Sequence, residues 1–539
     1  GGGLGGGGLG GGGLGGGGGA GVGGVGGAIS VVCPPGSVRN AEACDPCAAG
    51  QYCAGGDDPV IPCGNGDDSW DADGDPATAC APRAACAPGS YVASDGSATA
   101  DRSCAGCDAG TYSSSANSAA CAPWTDCSPA QVELSPGTAT ADRVCGAQNW
   151  PPQFGSTAYD QSNGVAVDSK GNVAFAGAAA GSLPLQPHFG RNDAFVRVVA
   201  PTGVELWAQQ FGTGEIDEAN GVAVDANDNV LAVGASRYTL QGLPPDSAGA
   251  FVRKYSSTGS VLWTHQFYSE SSAVGQAIAV DAAGNSYLAG QISGSLGSLP
   301  AFGGADVFLR KLDAAGQEVW SRQFGTAGTD RAFSLAVTPE GGIVVSGYVQ
   351  GALAEPLAGY YDFFVRKYDS AGVEQWTRQF PGDGFDSAVV VDQGGNVYMA
   401  GAARAPYAGQ SGVGTVDALL IKLDASGNDV WTRLYGSTAP DYAFSATIDP
   451  NGNFLVAGAT DGSLAGQTTA GGRDVFVLKV NPQGDLVWST QIGTASRDEG
   501  HGIATFGSGL LYVAGHTAGE LPGGTQVGGW DALSLRLTP

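Results

Sequence analysis

The sequence predicts an all-β chain whose larger part is a ring of seven four-stranded sheets, and three observations carry this. Seven tryptophans, Trp150, Trp207, Trp263, Trp320, Trp376, Trp431 and Trp488, recur every 55–57 residues. Seven copies of a strand–turn–strand–strand pattern follow them, the last ending in DALSLRL at Asp531–Leu537. The two series are out of phase: the first tryptophan strand has no copy before it, and the last copy has no tryptophan strand after it. A circle closed by the two ends of the region explains the offset, so the expectation is a seven-bladed β-propeller with N-terminal strand closure.

Each unit reads as four strands. The first is GVAVD at 164–168 and 221–225, AIAVD at 277–281, SLAVT at 334–338, AVVVD at 388–392, SATID at 445–449 and GIATF at 502–506. A Gly/Asn turn such as DSKGN or DAAGN leads to a second strand of the NVAFAG type. The third is DAFVRV or DVFLRK, and the fourth carries the tryptophan, as in EVWSRQFG. Side chains alternate across a strand, so Trp320, Arg322 and Phe324 share a face, and the two aromatics are expected between blades. The fourth strand of the last blade must come from Trp150–Gly155, which removes an open sheet edge.

Two further regions precede this array, giving expected domains at 1–32, 33–148 and 149–539. Residues 1–27 are almost pure glycine with Leu4, Leu9 and Leu14 five apart. Ordering so much glycine costs about 1–2 kcal/mol per residue. A lone strand cannot offset that, whereas a stack of such tails can, so self-association through Leu4, Leu9 and Leu14 is expected, with a flexible linker as the alternative.

All 12 cysteines lie between Cys33 and Cys145, which indicates a disulfide framework made in an oxidising space. A zinc module is disfavoured because the region holds no histidine. Five residues separate Cys80 from Cys86 and Cys121 from Cys127, and 17 separate Cys86 from Cys104 and Cys127 from Cys145. GSATADRSC and GTATADRVC occupy equivalent places, so the modules are tandem.

The segments CDAGTYSSSANSAAC, APWTDC and GTATADRVC resemble the cysteine-rich repeat of the tumour-necrosis-factor-receptor class. That resemblance implies small ladder-like modules with Cys86–Cys104, Cys107–Cys121 and Cys127–Cys145 paired. Closing each such loop adds about 3 kcal/mol in the chain-entropy model. CDPCAAGQYCAGGDDPVIPC resembles the short motifs of ephrin-receptor-like repeats, and Cys33–Cys44 is expected. Cys47, Cys53, Cys63 and Cys80 allow three pairings, of which Cys47–Cys63 with Cys53–Cys80 is preferred. The array is similar to bacterial seven-bladed propeller repeats found in large secreted proteins, a group without a uniform activity, which implies display and binding rather than catalysis.

The formal net charge of −27 disfavours nucleic acid and anionic lipid as partners. No run of about 18 apolar residues exists to span a membrane. The chain starts at Gly1 rather than Met, so either a signal peptide has been removed or the sequence is a fragment, and an exported protein is expected.

Catalytic motifs are not found, and the expectation is no enzyme and no cofactor. Of the four histidines, His188, His265, His501 and His516, the last two share a blade with Asp498 and Glu499 beside them. Surface or hydrogen-bonded roles are expected for all four. Asp217, Asp330, Asp386, Asp441 and Asp498 recur before first strands; Asp193, Asp306, Asp362, Asp417, Asp474 and Asp531 open third strands, with Gly249 in blade 2. Acids copied to nearly every blade read as turn carboxylates accepting backbone N–H groups, with a cation-binding ring as the sharper alternative. The basic series Lys254, Lys311, Lys367, Lys422, Lys479 and Arg536 reads as solvated or paired with an acid.

Asp71, Asp73 and Asp75 alternate as in a calcium loop, but Pro76 replaces the expected glycine and no glutamate stands at the twelfth position. They are the one calcium candidate. The combined expectation is an extracellular, adhesive surface protein, self-assembling through its tail as a fibre or surface-layer subunit. The alternative is a secreted glycan- or protein-binding module that does not polymerise.

Overall fold

A computed structural model describes residues 32–538 apart from 41–42, 56–57, 65–67, 126–130, 136, 148–149, 241–248, 268–271, 383–386 and 508. Side chains of 131–135 and 144–147 are likewise outside the described set. Leu4, Leu9 and Leu14, and the Cys127–Cys145 pair, fall outside it. The chain divides into two compact units, 1–146 and 147–539.

In the second unit seven four-stranded antiparallel sheets form a seven-bladed propeller. Blade 1 comprises Asp160–Val167, Val173–Ala179, Asp193–Val199 and Glu205–Phe211. The first strands of neighbouring blades pack on one another around the axis, blade 1 against blade 7 included. Blade 7 takes Asp498–Phe506, Leu510–Thr517 and Asp531–Leu537 from the chain's end and Gln153–Phe154 from the start of the unit. Gln153 pairs with Leu533 and Phe154 with Ala532. The Trp150 indole donates to the Ser534 carbonyl at 2.6 Å.

The fourth strands hold the blades together in three ways. Their phenylalanines meet the third-strand phenylalanine of the next blade edge to face, as in Phe267–Phe308 at 5.3 Å and Phe324–Phe364 at 5.5 Å. A guanidinium of that next blade covers the same ring, for example Arg310 over Phe267 at 4.1 Å. The tryptophans donate to the next blade's tight turn, Trp207 to Ser257 at 3.0 Å and Trp431 to Pro482 at 3.0 Å. The turn glycine lies on the indole: Gly259 has φ +84°, and a Cβ there would stand 2.8 Å from the Trp207 ring.

A glutamine two residues before the fourth strand's glycine ties down the long loop of its own blade. In blade 3 the Gln323 amide donates to Asp306 at 2.7 Å and to the Gly294 carbonyl at 2.8 Å. Its oxygen accepts the Leu296 N–H at 2.8 Å. Gln210, Gln379, Gln491 and Gln153 repeat this clasp on Asp193, Asp362, Asp474 and Asp531. Blade 2 has Gly249 in place of the acid, and among the described residues Gln266 ties the Leu240 N–H and the Tyr238 carbonyl. In blade 5 Leu434 replaces the glutamine, and Gln410 from the long loop accepts the Leu434 N–H at 3.2 Å. The following glycine passes between two carboxylates: a Cβ on Gly212 would lie 2.6 Å from Asp193 and 2.8 Å from Asp217.

The repeated acids are therefore turn carboxylates. Asp441 accepts the Ser437 N–H at 2.6 Å and Asp498 that of Thr494 at 2.6 Å; Asp160 plays the same part in blade 1, accepting from Ser156 at 2.6 Å. Asp386 lies outside the described residues. In the basic series, Lys254 pairs with Asp225 at 2.8 Å and Lys479 with Asp449 at 2.9 Å, each within its own blade. Lys367 and Lys422 reach the next blade's turn carbonyls at Ala425 and Pro482.

The first unit is a chain of short hairpins cross-linked by Cys33–Cys44, Cys47–Cys53, Cys63–Cys80, Cys86–Cys104 and Cys107–Cys121. This corrects the expected Cys47–Cys63 and Cys53–Cys80 pairs. Gly36 accepts the Cys47 N–H at 3.0 Å and donates to the Cys53 carbonyl at 2.9 Å, which brings those two cysteines together. Pairing of Ser69–Trp70 with Ala81–Pro82 then returns Cys80 to Cys63. The repeated ADR text is explained by Asp101 and Asp142, which accept the N–H groups of Ala84 and Thr125 at 2.9 and 2.7 Å.

Two predictions follow from these buried polar ties. Gln323→Leu strands Asp306 and the Leu296 N–H, whereas Gln266→Leu leaves no carboxylate behind. Urea denaturation should show the first costing about 1–3 kcal/mol more than the second. Burial, and then a facing acid, push Asp160 and Asp441 up to about 6. Between pH 3.8 and about 6 the folded protein keeps these protons while the unfolded chain releases them, so their stabilisation is full at low pH and lost as pH rises through 6. Asp441→Asn should gain up to about 3 kcal/mol relative to wild type as pH rises from 4 to 7, read from unfolding midpoints.

Candidate functional site

Each blade's first and fourth strands and its long loop between second and third strands meet at one face of the disc, because the strands run alternately up and down. On that face six of the first strands carry a described β-bulge, which leaves one residue out of the pairing and re-aims its side chain. The bulge lies between Ser162 and Gly164, Ala219 and Gly221, Gly275 and Ala277, Ala332 and Ser334, Ala443 and Ser445, and Gly500 and Gly502. The residues so placed are Asn163, Asn220, Gln276, Phe333, Phe444 and His501. Asn163 and Asn220 bridge to the next blade's carbonyls, Ala219 at 3.0 Å and Gly275 at 2.9 Å. Phe444 and His501 do something else.

They belong to a run of stacked rings across blades 6, 7 and 1. Tyr442 stacks near Phe444 at 6.2 Å, Phe444 on His501 at 5.1 Å, His501 on His516 at 5.3 Å, and His516 on Trp530 at 4.3 Å with 2° between planes. Tyr159 closes the run edge-on to Trp530 at 5.8 Å.

Glu499 lies beneath the rings, paired across the sheet with His516. At the same register the other blades pair Gln161 with Ala178, Glu218 with Ala235, Val274 with Gln291, Arg331 with Tyr348 and Tyr442 with Ala459. The Glu–His pair is thus a departure specific to blade 7. The carboxylate is divided between two kinds of partner. Oε1 accepts from Arg473 at 2.8 Å and Arg497 at 2.7 Å, while Oε2 faces His501 Nε2 at 3.2 Å and His516 Nε2 at 3.9 Å. Arg473 is itself held by Asp461 at 2.7 and 3.0 Å and lies over Tyr442.

Burial alone would raise the Glu499 pKa; the hydrogen bond and charge of His501, with Arg473, outweigh it and hold the carboxyl well below its ordinary range. Burial, with the nearby His501, lowers His516 to about 4, so this imidazole is neutral at physiological pH. Among the described residues neither of its ring nitrogens has a hydrogen-bond partner, although the residue is 3% exposed. The other two histidines stand apart in hydrogen-bonded roles, His188 on Asp193 at 2.9 Å and His265 near Arg310 at 3.3 Å.

Among the described residues, Glu499, His501 and His516 are the one set of three ligating side chains whose donor atoms lie within 4.8 Å of one another. Asp71, Asp73 and Asp75 do not converge in this way. Asp71 accepts the N–H groups of Gly50 and Gly74, Asp73 that of Asp75, and Asp75 that of Ala77. His501, His516 and Glu499 were visible in the sequence; Tyr442, Phe444, Arg473, Trp530 and Tyr159 were not singled out. The signal for Phe444 was the bulge position, where polar residues in blades 1–3 give way to aromatic ones.

Comparison with known proteins places similarity in both units. Residues 107–145 match the model of the TNFR/NGFR cysteine-rich region. The regulatory protein FlaEY of Caulobacter vibrioides is 28% identical over 281 residues, covering 44% of this chain and 29% of the relative. The WD repeat-containing protein L264 of Acanthamoeba polyphaga mimivirus is 21% identical over 455 residues, covering 68% of this chain and 31% of that protein. The chain therefore spans about a third of the length of either relative. Among solved structures, the Neurospora crassa Pan2 WD40 domain aligns with a TM-score of 0.40 at 11% identity, over 68% of this chain and 93% of that one.

Proposed function

We propose that this is an extracellular binding protein, displayed for adhesion, whose propeller takes a glycan on its long-loop face. The observation that carries the reading is the placement of exposed apolar side chains. Tyr159, Leu185, Phe189, Tyr238, Phe302, Tyr360, Val413 and Val527 are all exposed and all lie in loops of that face. Phe189, Phe302, Val413 and Val527 occupy one position, four residues before the third-strand aspartate. Their N–H groups are held by Asp193, Asp306, Asp417 and Asp531 at 2.7–3.0 Å. The buried acids thus fix four exposed apolar side chains, in blades 1, 3, 5 and 7, on this face.

On the same face, parallel aromatics adjoin the Arg473–Asp461 and Arg497–Glu499 pairs. Aromatic faces with planar charged groups suit the CH faces and hydroxyls of a sugar. Binding is favoured over catalysis because the cluster's carboxylate is tied to two guanidinium groups and held far below the pKa that general acid–base work near neutrality needs. Five disulfides and the receptor-type cysteine-rich match support export to an oxidising space.

On a glycan array the labelled protein should bind a defined set of sugars, and Tyr159→Ala with Trp530→Ala should weaken that binding about tenfold or more, as loss of stacking surface costs 1–2 kcal/mol. Binding unchanged in the double variant would contradict the proposal. Polymerisation through the glycine-rich segment rests on the sequence alone. Filaments or sheets seen by electron microscopy for the full chain should be absent after deletion of residues 1–27.

A further inference from the structure

Glu499, His501 and His516 have a property that sugar binding does not require. We propose that Glu499 Oε2, His501 Nε2 and His516 Nε2 form a binding site for a divalent transition metal of the zinc class.

The geometry is close to that of a ligand set. In tetrahedral coordination with bonds of about 2.0–2.1 Å, neighbouring donors stand roughly 3.3 Å apart. Here Nε2 of His501 is 3.2 Å from Oε2 and Nε2 of His516 is 3.9 Å from it, and one donor atom from each of the three residues lies within 4.8 Å of the others. Closing these separations to about 3.3 Å asks for up to about 1.5 Å of mutual approach, within reach of side-chain torsions. Two imidazoles and a carboxylate suit zinc and its neighbours rather than calcium or magnesium, which take oxygen donors.

The second observation is independent of the clustering. His516 is 3% exposed and, among the described residues, neither ring nitrogen has a hydrogen-bond partner. Leaving such a group unsatisfied costs about 1–3 kcal/mol, and the other blades with a described pair hold Ala178, Ala235, Gln291, Tyr348 and Ala459 at its register. A metal bond to Nε2 supplies the missing partner. The parallel Trp530 ring at 4.3 Å fixes the imidazole plane.

The arginines complete the design from the other side. Arg473 and Arg497 bind Oε1 alone. They fix the carboxylate so that Oε2 is turned to the histidines, as outer-shell groups do in metal sites. Asp461 offsets the charge of Arg473. Three protein donors are one fewer than a closed structural zinc site uses, so the remaining position falls to water or to an incoming ligand.

The test uses the full chain, stripped with EDTA and returned to chelator-free buffer. Titration with ZnCl2 by calorimetry should show one zinc per chain, and CoCl2 should give the visible ligand-field absorption of a nitrogen-coordinated ion. Changing groups outside the coordination sphere costs 10–100-fold, so removal of a ligand should weaken zinc by at least about 100-fold. His501→Ala, whose side chain is partly exposed, and Glu499→Gln, which keeps the side chain's shape, should both show this loss, while His188→Ala keeps wild-type affinity. Unfolding midpoints identify any variant that has lost its fold, and the other then decides. Absence of stoichiometric zinc binding by the wild type, or affinity unchanged in the folded variant, overturns the site.

Discussion

The glutamine clasp of the fourth strand is the interaction on which the rest of the propeller depends. A long loop between second and third strands would carry unpaired backbone groups into a buried layer. One amide side chain meets three needs there: it accepts a loop N–H, donates to a loop carbonyl and donates to a buried aspartate. That aspartate in turn holds the N–H four residues before it, which sets the loop's tip. Blade 7 uses the same clasp with a glutamine from the other end of the unit, Gln153, reaching Leu521 at 2.7 Å and Asp531 at 2.8 Å. Ring closure is thus the general blade interaction made between distant parts of the chain.

Rigid repetition allows one sector to differ. Six first strands share a bulge, so changing the bulge residue alters the re-aimed side chain without altering the sheet. Asn163 and Asn220 spend that position on holding the next blade. Phe444 and His501 direct it to a stack of rings, and His516 and Glu499 add a buried polar pair that the packing of a blade does not need. A buried side chain with both ring nitrogens unpartnered among the described residues, set beside a buried carboxylate, is where function is to be sought.

Much of this was legible in the sequence, for physical reasons. Tryptophan is rare and large, so its regular recurrence reported blade number and phase, and the missing fourth strand could be placed at Trp150–Gly155. Copied aspartates were legible as turn carboxylates because a functional acid is not needed in every blade. The glutamine was passed over although QFG recurs, because a polar residue in a strand reads as solvent-facing until its partners are known. Cys47–Cys53 escaped because cysteine spacing alone does not reveal that Gly36 bonds both residues. The ring stack escaped because Tyr442 and Phe444 lie about 60 residues before His501, Trp530 sits in a later loop, and Tyr159 reaches them only when the circle closes.

The direct measurement of that closure is amide hydrogen exchange followed residue by residue. In the closed ring the Ser534 N–H donates to the Pro152 carbonyl at 2.9 Å, so Asp531–Leu537 is an interior strand. The Ala532 and Ser534 amides, which face the Pro152–Phe154 segment, should exchange as slowly as those of Asp306–Leu312, the corresponding strand of blade 3. Rapid exchange along the Gln153-facing side of Asp531–Leu537, with Asp306–Leu312 still protected, would show an open edge and contradict the account.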